Sequence, residues 1–235
     1  MLTVVELQEL ALEDSDKIRE LAEIRSRGED EHFYKYLLQQ GVIYGTTVEE
    51  LAERLLQFDI QLSDLQIKND KLVEEGWLFP VYDMTGEWLY WVNYSNTRSS
   101  NKKYMNIVRT FQHNKMVFGL DTVPQAIQDK RLVWVEGVID QCRLASQGIP
   151  AVATLGTTVT DYMKALSRRV GANVIIPDND DNGKTAIGKG FGEKLQGELT
   201  NARTLRLSYV KDIDECFSVS PEQFEYLINE LRVGN

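Results

Sequence analysis

Cysteine and histidine are scarce, at two residues each in a chain of 235. Cys142 and Cys216 cannot make a four-cysteine zinc site or a disulfide framework, and they read as two buried, reduced thiols. No second histidine lies near enough to His113 in sequence to form a helical pair of ligands. Long apolar runs are missing too: none reaches the roughly 18 residues of a membrane span. The opening MLTVVELQELALEDSD lacks the basic start of a signal peptide. No membrane partner and a cytoplasmic location are therefore expected. With 43% hydrophobic and 26% charged residues, the chain reads as ordinary globular protein with one large domain or two small ones.

Positive charge is short overall, with a formal net charge of −10, yet the shortage is local. Residues 1–75 hold 18 acidic and 8 basic side chains, residues 76–129 hold 4 and 5, and residues 130–235 hold 14 and 13. If later carboxylates are occupied by metal, the last two thirds present a basic surface on which a polyanion can bind.

Periodicity divides the chain in the same way. Through residues 1–75, apolar residues recur at three and four (Leu7, Leu10; Ile18, Leu21; Phe33, Leu37; Leu51, Leu55), which predicts an all-helical region, with Thr47 capping a helix that starts at Val48. Residues 76–129 open with GWLFPVYDMTGEWLYWVN, two β-rich runs around a turn at Asp83 to Gly86. The polar stretch SNTRSSNKK that follows is a loop carrying Arg98, Lys102 and Lys103. From residue 130 strands are predicted at 132–135, 151–154, 173–177 and 204–210, and helices at 139–146, 159–169 and 184–199. That alternation predicts an α/β fold with a mainly parallel sheet flanked by helices. A C-terminal helix fills residues 218–235.

Three acidic motifs fall where predicted strands end: VEGVID, IIPDNDDNG and KDID. In parallel sheets this is the edge where ligands gather. Glu136 leaves the first strand, Gly137 permits a tight turn, and Asp140 lies one helical turn on. Asp178 and Asp180 share a face of an extended segment, and Asp212 and Asp214 repeat the spacing. Carboxylates so close need cations, since one like-charged pair at 4 Å costs about 4 kcal/mol even at an effective dielectric of 20. Oxygen-only ligands favour Mg²⁺ or Mn²⁺, with no zinc. A calcium EF-hand loop starting at Asp178 fails because its twelfth position is Lys189, where glutamate is required. A phosphate loop at GKGFG lacks the Lys and Ser/Thr that should follow.

The order VEG…D, AVATLGT, Asp-x-Asp-x-x-Gly, Asp-x-Asp resembles the TOPRIM domain over residues 130–217, and the nearest likeness is to DnaG-type primases of bacteria and phages. GWLFPVYDMTGEWLYW, KKYMN and FQHNKMVFGL are similar to that family's segments upstream of TOPRIM, in a small mixed α/β subdomain at residues 76–129. Departures are Gln112-His113-Asn114 after Phe111, where the family has Phe-x-Lys-Gly, and the absence of an arginine before the Phe-Pro strand. The resemblance implies a primase catalytic core that makes short RNA primers from ribonucleoside triphosphates on single-stranded DNA. It implies Glu136, Asp178 and Asp180 as catalytic groups. It also implies Glu136, Asp140, Asp178, Asp180, Asp212 and Asp214 as the metal set, with Arg98, Lys102, Lys103 and Lys115 facing template or triphosphate. Gly156 and Thr157 match its Leu-Gly-Thr turn. A replicative helicase and a separate zinc-binding or accessory subunit are the implied protein partners, in host cytoplasm if the origin is phage. A TOPRIM nuclease using the same carboxylates and a non-catalytic binding subunit remain as alternatives.

Overall fold

The computed structural model describes residues 2–45, 47–65, 75–83, 85–95, 104–107, 116–156, 158–179 and 190–233. The chain forms two compact units: Met1–Ile24 with Tyr34–Asn114, and Arg25–Phe33 with Lys115–Asn235.

The first unit draws on helices α1 (Val4–Glu13), α2 (Ser15–Ser26), α3 (Glu31–Gln39) and α4 (Val48–Leu56), on whose segments its helical part is built. Threonines start two of them. Thr3 and Glu6 cap α1 reciprocally, and the Thr47 hydroxyl accepts the Glu50 N–H at 3.1 Å, as its position before Val48 predicts. The helical third is not purely helical, because Ile43–Gly45 forms strand β1. Three residues are too few for an alternation signal, and the strand exists through its partner. It lies at the edge of a sheet ordered β1-β2-β3-β4, pairing antiparallel with β2 (Gly76–Tyr82), which continues into β3 (Trp88–Tyr94) and β4 (Tyr104–Ile107). β2 and β3 are the hairpin expected around Asp83 to Gly86, where Asp83 Oδ1 accepts the N–H groups of Thr85 and Glu87. Helices and sheet are joined by polar contacts as well as by core: the Trp77 indole donates to Lys17 O at 2.9 Å and the Tyr82 hydroxyl to Gln40 O at 3.1 Å.

The second unit includes a short helix that was not predicted, α5 (Val123–Gln128), and from there strand and helix alternate as predicted: β5 (Arg131–Val135), α6 (Val138–Ser146), β6 (Ala151–Ala153), α7 (Asp161–Ser167), β7 (Ala172–Ile175), α8 (Phe191–Glu198) and β8 (Ala202–Thr204). All neighbouring pairs in the sheet β6-β5-β7-β8 are parallel. Two final helices, α9 (Ile213–Val219) and α10 (Pro221–Val233), close the chain. Leu132, Trp134, Val152 and Ile175 from the sheet pack with Met163, Leu166, Leu195 and Leu199 from α7 and α8 and the segment just after it. The Trp134 indole is satisfied inside that core by Asn173 Oδ1 at 2.8 Å, whose amide in turn donates to Ser167 O and Thr200 O.

The last strand is shorter than the predicted 204–210 and begins earlier, sharing only Thr204 with it. It covers Ala202–Thr204, and residues 205–210 are irregular. The ladder ends with the Leu205 N–H on Ile175 O, because the neighbouring segment then runs into Pro177, which has no N–H to extend it. Gly137 also differs: it is the extended N-cap of α6 (φ −102°, ψ 151°), a conformation open to any residue, rather than a turn needing glycine.

Candidate metal centre

Glu136 stands one residue beyond β5, and its Oε1 accepts the backbone N–H of Asp178 at 3.2 Å. That bond ties the first acidic motif to the second, across the carboxyl ends of two adjacent parallel strands. Asp140, one turn into α6, is 6% exposed, and its Oδ1 accepts the Asp214 N–H at 3.0 Å. The first motif is thereby tied to the third. Asp212 caps α9, its Oδ1 accepting the Glu215 N–H at 2.8 Å.

The electrostatics agree with this convergence. Burial, then the charges of Asp212, Asp178 and Asp214, push the Asp140 carboxyl well above its usual range. Burial also pushes Asp212 up, against the opposing Glu215 N–H. An oxygen-only donor set with mutual repulsion suits a hard divalent cation. Among the described residues, however, no three acidic, cysteine or histidine side chains stand together around one point as a finished coordination shell. Asp180 lies outside the described residues, as do Thr157 and the expected substrate-holding Arg98, Lys102, Lys103 and Lys115.

Asp214 is placed differently from the other carboxylates. Its side chain is 4% exposed, and both oxygens are held by guanidinium groups: Oδ1 by Arg143 Nη2 and Nε at 2.8 and 3.2 Å, Oδ2 by Arg25. Spacing alone did not reveal Arg143. A signal was nonetheless present in Asp140-Gln-Cys-Arg143, where helical geometry puts the arginine on the aspartate's face. Asn179, between the paired aspartates, was missed as well. Its N–H donates to Lys211 O at 2.5 Å and its amide to Leu207 O and Val210 O at 3.4 and 3.3 Å, bracing the irregular segment that leads to Asp212. Within that segment Leu207 and Val210 point inward while Tyr209, at φ +64°, is fully exposed. Cys142 and Cys216 are buried free thiols; burial holds Cys142 well above its usual range and Cys216 at about 11, so neither is a ready nucleophile.

Residues 133–217 match the family model described as Toprim-like. Among curated proteins nothing matches. Among solved structures the chain is similar to the Aquifex aeolicus primase comprising zinc-binding and RNA polymerase domains, at 25% identity and a TM-score of 0.70. That match covers 97% of this chain and 60% of that one, so this chain spans less than two thirds of the Aquifex protein. It is similar to the RNA polymerase domain of Mycobacterium tuberculosis DnaG at 17% identity and a TM-score of 0.72, covering 98% and 82% of the two chains. A DnaG primase catalytic domain bound to single-stranded DNA matches at 19% identity and a TM-score of 0.65, covering 97% and 80%.

Proposed function

We propose that this chain, which has the fold of DnaG-type primase catalytic cores and a Toprim-like domain, joins ribonucleotides into short primers on a single-stranded DNA template. The observation that carries the reading is the tying of three acidic motifs at the carboxyl edge of the parallel sheet by two hydrogen bonds, Asp178 N–H to Glu136 and Asp214 N–H to Asp140. Glu136, Asp140, Asp178, Asp180 and Asp212 would hold Mg²⁺ or Mn²⁺. Bound there, such ions neutralise triphosphate oxygens and lower the pKa of an attacking hydroxyl. The chain's own residues supply position: Glu136 orients the segment that carries Asp178, and Asn179 orients the one that carries Asp212. As the primer 3′ oxygen bonds to the α-phosphorus and pyrophosphate leaves, the hydroxyl proton has Glu136 as its proposed acceptor. Arg98, Lys102, Lys103 and Lys115 are proposed to hold template or triphosphate by phosphate contacts. A replicative helicase is a proposed partner, and so is a zinc-binding module, a domain that the Aquifex primase structure includes.

The test is template-dependent primer synthesis on single-stranded DNA with ribonucleoside triphosphates and Mg²⁺ or Mn²⁺. Primers are expected from the unaltered chain, with Asp178→Ala and Asp180→Ala reducing yield by about 100-fold or more. Metal-dependent cleavage of DNA without synthesis would replace this reading by a nuclease. DNA binding without any chemistry would leave a binding subunit.

A further inference from the structure

Arg143 is fully buried on α6, beside the acidic site. One side of its guanidinium grips Asp214 Oδ1 and the other, through Nη1, reaches Asp30 Oδ2 at 2.6 Å. Its centre lies 3.8 Å from the Phe33 ring centroid and 4.0 Å from that of Phe217, so the ion is packed against two aromatic rings. Asp30 is fixed in turn, accepting the Phe33 N–H at 3.0 Å. Arg25 takes the remaining Asp214 oxygen. Two arginines and two aspartates thus balance inside the second unit, and each oxygen of Asp214 already accepts from a guanidinium.

We infer that Asp214 is a strut rather than a metal ligand: Arg143 holds its side chain, and its backbone amide, not its carboxylate, serves the site by meeting Asp140. Arg143 and Asp140 lie three residues apart on α6 and meet the same residue of α9: Arg143 takes the Asp214 side chain, and Asp140 takes its N–H. A divalent ion bound by Asp214 would share a carboxylate with two guanidiniums, at the cost of like-charge repulsion and of weakening the pairing of a buried arginine. The Asp214 amide in turn fixes one oxygen of Asp140. The segment Arg25–Phe33, distant in sequence, becomes part of the apparatus that shapes the centre. This inference rests on the proposal that Asp140 and its neighbours bind divalent cations.

A ligand and a strut respond with opposite signs when the carboxylate is removed. Asp140→Asn removes a buried, repelled charge, so in EDTA its melting temperature rises, and its Mn²⁺ affinity falls at least tenfold, read by electron paramagnetic resonance. Asp214→Asn removes the partner of two arginines, so in EDTA its melting temperature falls by about 5 °C or more, while Mn²⁺ affinity stays within about threefold. A tenfold loss of Mn²⁺ affinity in Asp214→Asn with no fall in its melting temperature would overturn the strut. Should Asp214→Asn not fold, Arg143→Met combined with Asp214→Asn removes the pair together; it must bind Mn²⁺ at the wild-type stoichiometry, and one ion fewer would overturn the inference. Failure of the unaltered chain to bind Mn²⁺ would instead sink the metal reading beneath it.

Discussion

At the residue scale, Asp140 carries the most consequential perturbation. The unfolded chain releases its proton near the usual 3.8, whereas burial and the neighbouring aspartates keep the folded carboxyl protonated to a higher pH. Between those two values the folded state binds more protons than the unfolded one, so stability falls as pH rises. With a slope of about 1.4 kcal/mol per pH unit for one proton, the melting temperature would drop by about 3 °C per unit in that window. Other groups titrate there too, so the quantity to measure is the difference between the unaltered chain and Asp140→Asn, both in EDTA. It should grow more unfavourable to the unaltered chain above pH 4 and level off once the folded carboxyl has ionised; saturating Mn²⁺ should abolish the trend. A difference independent of pH would mean that Asp140 is not repelled as the geometry implies. Glu136, Asp140 and Asp178 were legible in the sequence because spacing after a strand is a local property. The guanidinium partners of Asp214 were not, since Arg143 lies 71 residues from it in sequence and Arg25 lies on a segment near the other end of the chain.

At the element scale, the hairpin β2–β3 shows how a single position fixes an entry into a sheet. A Cβ built on Gly76 would lie 2.3 Å from Tyr94 O and 3.1 Å from its carbonyl carbon, which are backbone atoms of the paired strand. Neither can swing aside as the end of a flexible side chain would. Gly76→Ala should therefore part the strand ends and cost about 2 kcal/mol or more, read as a lower midpoint in urea. Thr47→Ala, which removes only the cap of α4, should cost about 1 kcal/mol. A Gly76 variant as stable as the Thr47 variant would show that the strand end yields without strain. Runs of apolar, β-favouring residues made β2, β3 and the first three parallel strands readable. They did not reveal β1, which is three residues long, or the end of β8, which is set by the absence of a donor at Pro177 in the neighbouring segment. Strand ends depend on the partner, and the partner is not local in sequence.

At the scale of the whole molecule, the question is how a chain of net charge −10 holds a polyanion. The first 75 residues carry 18 acidic against 8 basic side chains, while residues 76–129 carry 4 against 5. On the proposed reading, phosphates meet Arg98, Lys102, Lys103 and Lys115, and cations bound by the carboxylates offset part of the chain's negative charge. Each phosphate neutralised on a single strand releases counterion with a log–log salt slope of about −0.7, so four contacts give a slope of about −3. The measurement is fluorescence anisotropy of a labelled single-stranded oligonucleotide against KCl concentration at fixed Mg²⁺. Lys103→Ala should weaken binding at low salt and reduce the magnitude of the slope by about 0.7, since one contact is lost and the other three persist. A variant with weaker binding but an unchanged slope would mean that Lys103 acts by packing rather than by charge. A slope near zero in the unaltered chain would remove all four residues from the phosphate path at once, leaving stacking to carry the strand.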